Sequence, residues 1–63
     1  MVMTKKEFRE WRRELDLTQL EAAARLGIAR RTVQDYEGGK SAVPRYIELA
    51  CEALKARANA VET

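Results

Sequence analysis

Histidine is missing altogether from this 63-residue chain, and cysteine occurs once, at Cys51. The first absence removes the usual general base and the commonest protein ligand of transition metals; a lone thiol closes neither an internal disulfide nor a cysteine-rich zinc site. Cys51 is expected to be a small buried apolar residue and not a redox switch. No apolar run approaches the ~18 residues of a membrane span, and the start of the chain lacks the apolar core of a signal peptide, so a cytoplasmic location without a membrane partner is expected. The chain is short enough that a single domain, 1–63, has a core that barely offsets chain entropy. A large catalytic cavity has no room, and neither enzyme activity, metal, cofactor nor small-molecule substrate is expected.

The helix breakers are few, Gly27, Gly38, Gly39 and Pro44, and they punctuate the most informative stretch, Thr18 to Gly39. Thr18 followed three residues later by Glu21 forms a capping box, in which the hydroxyl accepts from the Glu21 backbone N–H and the carboxylate reaches back to the Thr18 N–H. A helix over about 19–26 follows, with Leu20, Ala23 and Leu26 as its apolar face, and Gly27 ends it in a tight turn with φ > 0. The small Ala23 permits close approach of a second helix. That second helix starts at about Arg30, runs to about Glu37, and stops at Gly38-Gly39.

On the second helix, with Arg30 as origin, Arg31, Gln34 and Asp35 fall at roughly 100°, 40° and 140°, whereas Val33 and Tyr36 fall near 300° and 240°. Val33 and Tyr36 therefore anchor the helix, and Arg30, Arg31, Gln34 and Asp35 face solvent with groups that can bond base edges and phosphates. The charge is placed accordingly. The segments 1–13 and 25–45 each carry five basic and two acidic residues, a net +3, against −3 for 14–24 and −1 for 46–63. Positive charge gathers on the first helix and on the second half of the helix pair with its loop, a pattern that favours polyanion binding.

Residues Arg12 to Tyr46 resemble the lambda-repressor-like, or XRE/Cro/CI, helix-turn-helix family of phage and bacterial repressors. The resemblance is carried by Leu17-Thr18-Gln19, Glu21-Ala22-Ala23, Leu26-Gly27-Ile28, Thr32-Val33 and Tyr36-Glu37-Gly38-Gly39-Lys40. It implies an all-α, compact domain of four or five helices with a central helix-turn-helix, and double-stranded DNA as partner. It implies base contacts for Arg30, Arg31, Gln34 and Asp35, and a backbone and first-base contact for Gln19. Thr18, Thr32 and Lys40 are implied at the DNA backbone and Arg45 in the minor groove. Arg12 and Glu37 are implied as a partly buried ion pair tying the first helix to the recognition helix. Two positions depart from the pattern. Ala29 stands where relatives often carry a Ser or Thr N-cap, a loss of about 1 kcal/mol, and Gly38 stands where many carry Asn, so a phosphate contact there is lost or made by backbone N–H.

Thr4 and Glu7 form another capping box, and Phe8, Trp11 and Leu15 follow at spacings of three and four, which predicts a first helix over about 5–15 with all three in the core. At that spacing Trp11 belongs to packing and not to base stacking. Pro44 suits the first turn of a last helix, about 44–60. There Ile47, Cys51, Leu54, Ala58 and Val61 form one apolar stripe. Leu49, Ala53, Ala56 and Ala60 form a second about 200° away, and Glu48, Glu52, Lys55, Asn59 and Glu62 form the polar face. A domain of this size covers one stripe, and the second wants a partner. The family commonly dimerises through this region, which implies a homodimer at least on DNA, reading a pseudo-palindromic operator. The function expected is a sequence-specific DNA-binding regulator, most simply a Cro-like repressor; the alternative is an antitoxin-like or anti-repressor interaction module that uses the C-terminal helix.

Overall fold

The computed structural model describes residues 3–61, and of Ala60 and Val61 the backbone alone. The expected places of Glu62 and of the Ala60 and Val61 side chains lie outside the described residues. Among those described the fold is all-α, with four helices and no fifth: α1 (Lys5–Glu14), α2 (Gln19–Leu26), α3 (Arg30–Gly38) and α4 (Arg45–Val61).

Both capping boxes are formed. Thr4 Oγ1 accepts from Glu7 N at 3.1 Å while Glu7 Oε1 accepts from Thr4 N at 2.8 Å. Thr18 and Glu21 repeat the arrangement at 3.1 and 2.9 Å, and the Thr18 backbone N–H, then its hydroxyl, draw the Glu21 pKa below the ordinary carboxylate value. α3 starts without such help: Ala29 sits in the extended N-cap conformation with no side-chain acceptor. Pro44 stands just ahead of α4 instead of in its first turn, its carbonyl accepting from Ile47 N and Glu48 N at 3.1 Å each.

Three helices end in the same way, with a left-handed residue whose neighbours return N–H groups to the last turn. After α2 this residue is Gly27 (φ 70), with Ile28 N donating to Ala23 O at 3.0 Å; after α3 it is Gly39 (φ 80), with Lys40 N donating to Asp35 O at 2.9 Å. After α1 the position is taken by Asp16 (φ 56), with Leu17 N donating to Arg12 O at 3.1 Å. Asp is one of the few residues with a Cβ that tolerates this region, so an exposed aspartate does here what glycine does twice later.

The core gathers Phe8 and Trp11 from α1, Leu17 from the first turn, Ala22 and Ala23 from α2, Val33 and Tyr36 from α3, Val43 from the loop, and Ile47 and Cys51 from α4. Phe8 is central, its ring 5.4 Å from Trp11 and 5.6 Å edge-on from Tyr36. α4 is tied to α1 by the Trp11 indole N–H, which donates to the Cys51 carbonyl at 2.9 Å inside the core, and by Lys55 and Glu14 at 2.9 Å on the surface.

Leu20 and Glu48 do not stand where the sequence pattern puts them. Leu20 is 61% exposed. A strict three-residue spacing drifts by about 60° per step on a helix, so Leu20, Ala23 and Leu26 fan across roughly 120°. The buried face centres on Ala22, Ala23 and Leu26, and Leu20 turns outward. Glu48, expected on the polar face, is 8% exposed. It lies in the first turn of α4, where the helix dipole favours a carboxylate, and Arg45 pairs with it.

Candidate functional site

α3 divides sharply around its axis. Arg30 and Arg31 are exposed, Thr32, Gln34 and Asp35 half-buried, and Val33, Tyr36 and Glu37 buried. Gln34 and Asp35 therefore stand less free than the helical wheel suggests. Lys40 is exposed beyond the turn, and the Asp35 carbonyl, accepting from Lys40 N at 2.9 Å and Ser41 N at 3.3 Å, binds that turn to α3. Thr18, at the head of α2, is exposed, and its hydroxyl is already engaged by Glu21 N.

Behind this surface lies a polar network centred on Glu37, 5% exposed. Arg12 grips its carboxylate with two parallel bonds, Nε to Oε2 at 2.7 Å and Nη2 to Oε1 at 3.0 Å, and donates Nη1 to the Leu17 carbonyl at 3.0 Å. One guanidinium thus joins α1, the α1–α2 turn and α3 in the planar fork that suits arginine and not lysine. The bond to Glu37 raises the Arg12 pKa, burial opposing it in part. Arg9 approaches the same carboxylate, Nε to Oε1 at 3.8 Å. Gln19 Nε2 donates to Glu37 Oε1 at 3.4 Å, and Gln34 Nε2 reaches Gln19 Oε1 at 3.5 Å. These long bonds engage the Gln19 amide through one N–H and its oxygen, and the amide carries a second N–H.

The fold thus brings Thr18, Gln19 and Arg30 together: with Arg12 and Leu20 they line one shallow concavity between the heads of α2 and α3. A second depression, on α1, is lined by Lys5, Lys6, Arg9 and Arg13 with Glu10 and Glu37. Arg45 stands at the start of α4, its side chain 63% exposed and one guanidinium nitrogen, Nη1, paired with Glu48, which leaves its other N–H groups for a second anion. The Gln19–Gln34 link and the second arginine on Glu37 are absent from the sequence reading. The signal for the latter is the i, i+3 spacing of Arg9 and Arg12, which puts both on one side of α1. Among the described residues no three His, Cys, Asp or Glu side chains come together as metal ligands would, and no helix is long and apolar enough to cross a membrane.

The exposed Arg30 and Arg31, on a helix tied to α1 by the Arg12–Glu37 pair, suit a polyanion. A family described as helix-turn-helix matches residues 8–55. The crystal structure of a "Putative DNA Binding Protein" from Nitrosomonas europaea is 34% identical and superposes over 87% of this chain with a TM-score of 0.83. This chain spans 36% of that protein's chain. No curated protein matches.

Proposed function

Because the chain belongs to the lambda-repressor-like helix-turn-helix family, we propose that it is a cytoplasmic, sequence-specific double-stranded DNA-binding regulator, a Cro/CI-like repressor of phage or bacterial origin. The observation that carries this reading is the two-sidedness of α3: Arg30 and Arg31 are exposed on the helix that Val33 and Tyr36 bury. α3 lies in the major groove. Arg30 and Arg31 supply bidentate contacts to guanine O6 and N7 or to neighbouring phosphates, Asp35 accepts from a cytosine amine, and Gln34 and the second Gln19 N–H take a base or phosphate. Thr18, Thr32 and Lys40 hold the backbone, and Arg45 enters the minor groove. Two copies joined through α4, where Tyr46 and Leu49 are exposed, place two α3 helices about 34 Å apart on a pseudo-palindromic operator.

In-vitro selection of bound oligonucleotides with this protein supplies the operator, and two variants then test the assignment. Arg30→Ala costs ~1–3 kcal/mol of affinity and relaxes preference at one base position. Lys40→Ala weakens all sequences alike and lowers the salt slope by about one. Equal losses on specific and random DNA for both variants overturn the reading. The α4 face also favours a second reading, an antitoxin-like or anti-repressor module; steep salt dependence with little sequence selectivity, together with a tight protein partner, decides for it.

A further inference from the structure

Leu20 is out of keeping with its surroundings. Its side chain is 61% exposed, yet the concavity it shares is otherwise lined by Arg12, Thr18, Gln19 and Arg30, all polar or charged. Among the described residues the other large exposed apolar side chains, Tyr46 and Leu49, belong to α4 and take no part in that concavity. The position of Leu20 follows from the winding of α2. Ala22 and Ala23 bury the inner face, Gln19 is held toward α3 by Glu37 and Gln34, and the next residue emerges beside Arg30, the first residue of α3.

A surface that grips DNA with Gln19 and Arg30 sets Leu20 against the same few base pairs. The major groove offers hydrogen-bonding edges and a single apolar group, the C5 methyl of thymine. An isobutyl group gains nothing from a phosphate or from the donor and acceptor edge of guanine, whereas it excludes water from a methyl. Resting on the DNA-binding reading above, we infer that Leu20 is a specificity-determining residue that packs on the C5 methyl of a thymine neighbouring the base read by Arg30. Such a contact carries sequence information from outside α3.

The test exchanges each thymine of the selected operator, one at a time, for deoxyuridine, which removes the methyl and keeps the pairing edge. For the unaltered protein, one exchange, next to the position whose preference Arg30→Ala relaxes, weakens binding about three- to fivefold, the worth of one buried methyl. Leu20→Ala shows that loss already on thymine DNA and no further loss on the uracil-containing site. Because Leu20 is exposed, the variant is expected to keep its circular dichroism and urea midpoint, and the unaltered protein alone carries the exchange series if it does not. A protein that binds its operator selectively yet is indifferent to every exchange overturns the Leu20 assignment and leaves DNA binding standing. So does a Leu20→Ala variant weakened equally on all sequences, which marks a sugar contact. Failure to select any operator overturns the parent reading and this one with it.

Discussion

Glu37 is a carboxylate removed from water and satisfied from three sides, by the Arg12 fork at 2.7 and 3.0 Å, by Gln19 at 3.4 Å, and by Arg9 at 3.8 Å. Removal of one partner of such a pair leaves the other uncompensated, a larger effect than the net worth of the pair. Arg12→Ala is expected to cost ~3 kcal/mol, read as a fall in the urea midpoint. The double variant Arg12→Met/Glu37→Leu is expected to recover much of that stability. A single variant as stable as the parent contradicts the central place given to the pair. Cys51 provides a pH test. Burial, with lesser contributions from Glu48 and Glu52, pushes its thiol pKa up to about 12. The unfolded chain releases that proton at lower pH, so the contribution to stability is whole below the ordinary thiol pKa and drains away as pH climbs toward about 12. Stability against pH should therefore fall more steeply on the alkaline side than in Cys51→Ala. Of these residues, Cys51 was legible as a buried one from its place in an apolar stripe. The Arg12–Glu37 pair was legible from family resemblance alone, since no local periodicity relates positions 25 apart. The Gln19–Gln34 link was invisible, because two glutamines on different helices leave no trace in a one-dimensional pattern.

At the scale of the helix, stop signals carry most of the information. Thr4 and Thr18 with their glutamates, and Gly27 and Gly39, mark boundaries that are local chemistry and readable as such. Asp16 was not readable as a left-handed stop, because nothing in its sequence neighbourhood distinguishes it from an ordinary exposed aspartate. The face of α2 was misread from three-residue spacing, which mimics a helical stripe over one step and departs from it over two. α3 begins without a side-chain cap: Ala29 already has the extended N-cap conformation, φ −74 and ψ 148, and no acceptor. Ala29→Ser therefore needs no backbone change, and is expected to add ~1 kcal/mol, raising Tm by about 4–8 °C for a domain of this size. A thermal melt that does not move would show that α3 is held entirely from its buried side.

For the molecule as a whole, the question is what covers α4. Its inner stripe closes the core through Ile47 and Cys51, while Tyr46 and Leu49, 68% and 48% exposed, remain on the outside. The sequence pattern revealed the second stripe but not the loss of Glu48, buried and paired with Arg45, from the polar face. With the proposed dimer, sedimentation on operator DNA gives two chains per full site. Leu49→Glu keeps the fold and half-site binding but abolishes cooperative occupancy of the full site. A strict monomer both free and on the operator removes the dimer.

The single tryptophan has a practical consequence. Its indole N–H is satisfied by a carbonyl of the last helix and its ring is 5% exposed, so its fluorescence should be blue-shifted while that helix is docked and move red when the helix lifts away. Since Trp11 has no place in the concavity formed by Thr18, Gln19 and Arg30, the emission serves as an intrinsic optical gauge of how the last helix is docked and not of direct contact at that concavity.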